Sequence, residues 1–270
     1  MNVSANSCRR PYAYQLRYAW SAWTREACPV DLLDTAPFQA KLATAWEADG
    51  FRPLEWNATP GQIQILFSAR PDLRPELLAT RAKGRLQHAL RQEQRTSAFR
   101  RHFGLVSVGA PNSDDVDAYL RDQLQHGEFA DPRYRDALAE LAYTDPDVHL
   151  QAPLPSKSGR YVLAFHYVFV VADRWRMPQS TAVRIRNGFL KASSGAEWKI
   201  AKLSMMPDHV HVAVRGAINR SPLEIGEEMR EATCAEAGTH GFWMSTGYVG
   251  SFGSYGMGAV RAKRRERSGG

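Results

Sequence analysis

Cysteine is scarce in this chain, which has three among its 270 residues. Cys8, Cys28 and Cys234 form no CxxC pair and no even set, which argues against a disulfide framework and against a cysteine metal site. Low cysteine usage suits a reducing compartment, and we therefore expect a cytoplasmic protein.

Long apolar runs are also missing. No stretch approaches the ~20 apolar residues of a membrane-spanning helix, and the opening text MNVSANSCRRPYAY lacks the apolar core of a signal peptide. We expect no membrane partner. Hydrophobic residues make up 44% and charged residues 23%, a balance that excludes a disordered chain.

Positive charge is present in excess, and it is unevenly distributed. The whole chain has a net charge of +7, with −1 in residues 1–150 and +8 in residues 151–270. This asymmetry favours a polyanionic partner such as nucleic acid, bound mainly by the second half. The alternative is a solvated basic tail, because the last ten residues are RAKRRERSGG.

The length predicts about two domains. We place the first at residues 1–126 and the second at residues 160–270, joined by a helix and a Pro-rich linker at 127–159. The segment TDPDVHLQAPLPSKSG has three prolines and no periodicity, which is typical of a linker.

The same order of elements recurs in both halves. Strand-like text at 12–25 and 161–174 is followed by helical text ending at Gly50 and Gly195. Two further strands, a helix and a last strand follow in each half, with Pro60 matching Pro207 and Tyr18 matching Tyr167. We predict an α+β chain of two tandem ferredoxin-like or RRM-like β-α-β-β-α-β units. Chance similarity of two α+β domains is the alternative.

The string MMPDHVHVAV carries the sharpest chemistry. His209 and His211 are separated by one residue on a predicted strand, so both imidazoles lie on the same face. Two imidazoles one pleat apart can bind one divalent cation. An isolated HxH is often only a pair of polar strand residues, and the longer string is more specific.

This string, with FHYVFVVADR before it and FWMSTGYVGSFG after it, resembles the single-tyrosine HUH transposases. That family includes insertion-sequence and REP-associated tyrosine transposases, and the resemblance covers most of residues 160–260. It implies a bacterial, nucleoid-associated enzyme acting on single-stranded DNA hairpins. It also implies that the histidines hold a metal and that a tyrosine in a Y-x-x-x-Q helix attacks the phosphate.

The second half departs from the family pattern at the nucleophile. The register set by Gly253 and Val260 puts Lys263 at the tyrosine position and Arg267 at the glutamine position. Lysine is not an expected nucleophile for a phosphodiester, and arginine cannot ligate a metal. Tyr248 and Tyr255 are nearby, and we expect them to pack or to contact DNA rather than to act as nucleophiles.

The first half has the complementary residues. Gln62 and Gln64 occupy the histidine positions, and amides are poor metal ligands. Tyr119 and Gln123, however, stand at the family spacing on one face of a predicted helix. A half-buried helix tyrosine is the alternative interpretation of Tyr119.

The family dimer, fused into one chain, would therefore keep one composite site as an intramolecular pseudo-dimer. Tyr119 would be the nucleophile, and His209, His211 and Gln123 would hold Mg or Mn. Asp208 would orient a histidine from outside the metal shell, unless it is only an exposed turn residue. The internal dimer predicts a monomeric protein.

The DNA surface is expected to be basic. Its candidate residues are Lys83, Arg85, Arg91, Lys199, Lys202, Arg215, Lys263, Arg264 and Arg265. The leading hypothesis is a transposase, or a domesticated relative, that cuts and rejoins DNA through a 5′-phosphotyrosine. The second is a catalytically inactive DNA-binding protein derived from a transposase. A cytoplasmic metal enzyme acting on small molecules has little support beyond HxH.

Overall fold

A computed structural model of the protein describes residues 12–24, 30–93, 99–109, 132–157 and 159–253. The described parts form a mixed α+β structure with two sheets and six α-helices. The α+β class predicted from the order of strand and helix patterns is confirmed.

The first half begins with two strands that are separated by one residue, and it ends in a long strand. Its elements are β1 (Tyr12–Gln15), β2 (Arg17–Thr24), α1 (Val30–Leu33), α2 (Ala36–Ala48), β3 (Phe51–Thr59), β4 (Gln62–Ala69), α3 (Pro75–Gln92) and β5 (Phe99–Val108). Proline stands in the first turn of both α2 and α3, where its missing N–H costs no helical hydrogen bond.

The second half has a similar series after a short connecting region. Its elements are α4 (Pro132–Glu140), β6 (Tyr143–Thr144), β7 (Arg160–Val162), β8 (Ala164–Val170), α5 (Gln179–Ser193), β9 (Lys199–Met205), β10 (His209–Arg215), α6 (Pro222–Ala237) and β11 (Gly247–Ser251). Ser221 and Glu224 form a capping box at the start of α6, and Gly238 ends it with φ +77°.

Both sheets have the same strand order at their centres. The first sheet runs β3-β4-β2-β5-β7 and the second runs β1-β11-β8-β10-β9-β6. In the first half β2 lies between β4 and β5, and β3 lies beside β4. In the second half β8 lies between β10 and β11, and β9 lies beside β10. These four central strands are antiparallel to their neighbours in both sheets.

Each half also lends a short strand to the other sheet. β1 pairs in parallel with β11 of the second half, and β7 pairs in parallel with β5 of the first half. The change of sheet occurs at Leu16 and Leu163, which are both fully buried. Each of the predicted opening strands is therefore divided between two sheets.

Strand pairing corrects one detail of the alignment between the halves. Gln64 lies opposite Ser21, and His211 lies opposite Val168, which makes Val168 the equivalent of Ser21. On that register Tyr18 corresponds to Phe165 rather than to Tyr167. The predicted match of Tyr18 with Tyr167 therefore differs by two positions from the register that the strand pairing gives.

One hydrophobic cluster includes buried residues from both halves. Its fully buried aromatics include Trp20 and Trp46 from the first half and Trp198 and Tyr167 from the second. Residues 132–144, expected to lie between the domains, form α4 and β6. Strand β6 pairs with β9 at the edge of the second sheet, and α4 contacts α5 and β9. No helix in the described ranges is long and apolar enough to cross a membrane.

Candidate metal and DNA site

The two histidines of the HxH motif open strand β10. Val210 and Val212 point into the main hydrophobic cluster, and both are fully buried. His209 and His211 therefore lie on the opposite face, since strand side chains alternate. Their ring centroids are 4.9 Å apart with an interplanar angle of 74°. The pair shares one face of the second sheet, as the motif predicts.

Asp208 forms a hydrogen bond with His209, the first histidine of the motif. Nδ1 of His209 donates to Oδ1 of Asp208 at 2.6 Å, and Nε of Arg174 lies 2.6 Å from Oδ2 of the same carboxylate. The backbone of this corner is tied down as well, because Val171 N donates to Asp208 O at 2.8 Å. This arrangement leaves Nε2 of His209 as the nitrogen suited to a ligand.

A third histidine, which the sequence analysis missed, holds the second one. Nε2 of His166 and Nδ1 of His211 share a hydrogen bond of 3.0 Å, and their rings stack at 12° with centroids 5.1 Å apart. His166 lies opposite Ala213, and Val168 lies opposite His211, so the two histidines are diagonal neighbours across β8 and β10. The alternation of AFHYVFV placed His166 on one face, but only strand pairing brings it to His211.

Burial keeps these histidines neutral. It lowers the pKa of His166 to about 4, because the charged ring is poorly solvated there. The pKa of His211 is lowered further by burial and then by the neighbouring His166 and His209. Both rings are therefore uncharged near pH 7, which is the form that can bind a metal.

The donors present fit a divalent cation in part. A ligating His211 carries its proton on Nδ1 and donates it to His166, so its Nε2 lone pair is available to a metal. His209 has the equivalent arrangement with Asp208. Within the described ranges no group of three or more His, Cys, Asp and Glu residues could hold a metal. The histidine pair therefore supplies two ligands and needs another from elsewhere.

The corresponding place in the first sheet has amides instead. Gln64 is 4% exposed and lies opposite the buried Ser21 on β2. Gln62 lies opposite Trp23 at the end of the same strand pair. Neutral amides bind divalent metals weakly, so this face lacks the donor chemistry of the histidine face.

The predicted nucleophile and third ligand, Tyr119 and Gln123, lie outside the described residues. So do Lys263, Arg264 and Arg265. The described residues on either side of the tyrosine segment both contact the second half. Gly109 forms a bridge with Gly253, and Tyr134 of α4 donates its hydroxyl hydrogen bond to the carbonyl oxygen of Met177.

Tyr248 lies beside His166, on the neighbouring strand β11. Its ring stands edge-on to His166 at 6.3 Å, and burial raises the pKa of its hydroxyl. A raised pKa makes phenolate formation harder. This environment suits packing better than nucleophilic attack, and Tyr255 lies outside the described ranges.

The other candidate DNA residues are spread over both halves. Lys83 donates to the carbonyl oxygens of Arg100 and Arg101, and Arg85 forms a two-pronged ion pair with Asp49. Arg91 is exposed near the end of α3.

In the second half, Lys199 donates to Ser193 O. Lys202 lies opposite Thr144, and Arg215 lies opposite Ala164 at the end of β10. The structure brings His209, His211 and Asp208 into one hydrogen-bonded group, and the six basic residues lie on α3 and on strands β9 and β10.

A strained turn follows β8 next to this group. Asp173 and Arg174 have φ of +55° and +54°, a region that costs a residue with a side chain about 1–2 kcal/mol. Backbone hydrogen bonds hold the turn on both sides, including Ala172 N to Phe242 O at 2.9 Å and Met177 N to Pro207 O at 2.8 Å. The residues on either side of the turn are therefore hydrogen-bonded to Pro207 and Asp208, the two residues that precede His209.

Comparison with known proteins identifies the second half. Residues 160–257 match the family described as transposase IS200 like. This range contains His166, His209, His211 and Tyr248, and it ends before Lys263. No curated protein matches the chain. The resemblance drawn from the MPDHVH string is confirmed, and residues 160–257 are an IS200-like transposase domain.

Proposed function

We propose that this chain, whose second half is an IS200-like transposase domain, cuts and rejoins single-stranded DNA through a 5′-phosphotyrosine at one composite active site. The observation that carries the proposal is the histidine pair, with each ring held through Nδ1 by a neighbour, inside the matched domain. Asp208 and His166 are the positioning residues in this proposal.

The two halves are proposed to be diverged copies that together reproduce a dimer. Support comes from reciprocal hydrogen bonds between them. Ser107 Oγ accepts from Ala164 N at 2.8 Å and donates to Phe252 O at 3.0 Å. Ser251 Oγ accepts from Arg17 N at 2.7 Å and donates to Val108 O at 2.8 Å.

A second reciprocal pair supports the same relationship. Leu223 N donates to Pro71 O at 2.8 Å, and Glu76 N donates to Ile218 O at 3.0 Å. Ile218 and Leu223 follow Pro71 and Glu76 by 147 positions each, which is also the offset between Gln64 and His211. Two-fold symmetry produces such exchanges, because each surface patch meets the equivalent patch of its partner.

The composite site combines what each copy has retained. Tyr119 and Gln123 come from the first copy, and His209 and His211 come from the second. The anchoring of Gly109 and Tyr134 on the second half supports this assignment, because these residues flank the tyrosine segment. The reciprocal set of Gln62, Gln64, Lys263 and Arg267 lacks both ligands and nucleophile.

The chemistry assigned to the chain is a reversible phosphoryl transfer. Bound Mg or Mn on His209, His211 and Gln123 would supply Lewis-acid polarisation of the scissile phosphate. Tyr119 loses its phenolic proton and its Oη attacks phosphorus, while the bond from phosphorus to the 3′ oxygen breaks. The leaving 3′ oxygen takes up a proton. Attack by a 3′-OH reverses these steps, rejoining the strand and releasing Tyr119.

The proposed substrate is single-stranded DNA carrying a hairpin, bound by a protein that is monomeric because its dimer is internal. The first test incubates the full chain with a labelled hairpin oligonucleotide and Mn²⁺. Tyr119→Phe should abolish the covalent adduct seen by denaturing gel, because phenylalanine has no oxygen to attack phosphorus. Adduct formation should also disappear in EDTA.

Position-matched controls use the internal symmetry. His209→Ala should abolish the adduct, whereas Gln62→Ala, at the equivalent position of the other copy, should leave it unchanged. An adduct that persists in Tyr119→Phe and disappears in Tyr255→Phe would refute the composite site. Tight hairpin binding by the wild type without any adduct would instead favour a DNA-binding protein that has lost catalysis.

A further inference from the structure

The strained turn after β8 leads directly from the histidine group to the protein surface. Arg174, one of its two left-handed residues, bonds to Asp208, and Asp208 bonds to His209. Left-handed conformations at residues with side chains persist only where the surrounding contacts impose them, and they cluster at ligand sites. The turn thus has a defined position relative to the metal ligands.

The tip of this turn exposes an aromatic ring between two cations. Trp175 is 53% exposed, although tryptophan usually finds a place in a core. Arg174 and Arg176 flank it, and the side chain of Arg174 is 63% exposed despite its ion pair. Met244, 41% exposed, lies at the same end of β8, because its N–H donates to Val170 O.

An exposed ring with adjacent cations is the surface on which single-stranded nucleic acid stacks its bases. We propose that Trp175 stacks on one base of the DNA strand next to the scissile phosphate, with Arg174 and Arg176 contacting neighbouring phosphates. The assignment rests on the proposed DNA-cutting function. Trp175, Arg174 and Arg176 together form the proposed stacking platform. Arg174 also positions the carboxylate of Asp208, which bonds to His209.

The test measures binding separately from cleavage. Fluorescence anisotropy of a labelled single-stranded oligonucleotide is recorded in EDTA with the full chain. Trp175→Ala should raise Kd by about 5-fold to 150-fold, the range expected for loss of one stacked base. Trp175→Phe should recover much of the affinity, because phenylalanine keeps an aromatic face.

A matched control comes from the other half. Trp23 is also an exposed tryptophan, at 38%, and it lies opposite Gln62, on the strand pair that has amides where the second sheet has the histidine pair. Trp23→Ala should leave Kd unchanged. Thermal unfolding of both variants should match the wild type, because each ring is removed from the surface.

Placing an abasic nucleotide at successive positions of the oligonucleotide locates the stacked base. One position should weaken wild-type binding and have no further effect on Trp175→Ala. Equal Kd for Trp175→Ala and wild type overturns the platform, as does equal weakening by Trp23→Ala. If Trp175→Ala weakens binding while wild type forms no adduct with Mn²⁺, the platform stands and the cleavage function fails. If wild type forms the adduct and Trp175→Ala binds normally, the cleavage function stands and the platform fails.

Discussion

Each histidine of the HxH pair has a hydrogen-bonded neighbour that fixes the orientation of its ring. Asp208 accepts from Nδ1 of His209, and His166 shares a hydrogen bond with Nδ1 of His211. These contacts select the tautomer in which Nε2 can bind a metal. Five side chains therefore determine the geometry of the site, including Arg174, which forms an ion pair with Asp208.

At this scale the most informative substitution is His166→Ala. It removes the partner of His211 Nδ1, so the ring loses its fixed orientation, and we expect Mn²⁺ affinity to fall about 10-fold to 100-fold. Isothermal titration calorimetry measures this without DNA or turnover. His102→Ala, an exposed strand histidine of the first half, is the control. Unchanged Mn²⁺ affinity in folded His166→Ala would show that the contact does not orient the ligand.

At the scale of the elements, successive side chains of strand β10 alternate between the hydrophobic core and the candidate site. Its valines fill the hydrophobic cluster beneath the helices, and its histidines occupy the other face. Helix α6 contributes Ile225 and Met229 to the same hydrophobic cluster, and its first turn is fixed by a capping box. Tyr167, on the neighbouring β8, donates to the carbonyl oxygen of Pro222 at the start of α6.

The cap of α6 yields a prediction about stability. Ser221 is 1% exposed and its side chain accepts from Glu224 N at 3.1 Å. Ser221→Ala should lower the free energy of unfolding by about 1 kcal/mol, up to ~2 kcal/mol, in urea denaturation. Thr35, the N-cap of α2, makes no side-chain cap hydrogen bond, so Thr35→Ala should cost less. A larger loss in Thr35→Ala would contradict this account of the two caps.

For the molecule as a whole, the exchanged strands β1 and β7 join the two halves. Each contributes backbone hydrogen bonds to the sheet of the other half. Ser107 and Ser251 add reciprocal side-chain bonds where the sheets meet. Because one hydrophobic cluster also spans both halves, neither half can unfold without exposing surface of the other.

Two measurements test this coupling. Light scattering after size exclusion should give the monomer mass of 30.3 kDa, since the proposed two-fold contact is already satisfied internally. Thermal unfolding should show one transition, and Ser251→Ala should shift the whole transition to lower temperature, because it removes the partner of Arg17 N and Val108 O. A dimer mass, or two transitions of which Ser251→Ala shifts only one, would count against the internal dimer.

Local periodicity was enough to place many of these features. The helical text predicted to end at Gly50 and Gly195 corresponds to α2 and α5. The shared face of His209 and His211 followed from period-two alternation. The family of the second half followed from the MPDHVH string, which residues 160–257 confirm.

Other features needed contacts between residues far apart in the chain. His166 could not be identified from the sequence, because its hydrogen bond to His211 depends on β8 pairing with β10 at a particular register. Residues 12–25 and 161–174 each have the pattern of a single strand, because nothing local marks Leu16 and Leu163 as points where the chain changes sheets. The strained turn at Asp173 and Arg174 likewise has no glycine to announce it.

The sequence by itself determined the α+β class, the family of the second half, and the face shared by the two histidines. Each depends on residue types at short spacing, where strand and helix geometry leave few choices. Tertiary structure alone decided the orientation of the imidazoles and the strands that each half lends to the other. Those features depend on pairing and burial between separate segments of the chain, such as His166 and His211, which are 45 positions apart. Hydrogen bonds and solvation act on distances in space rather than along the chain.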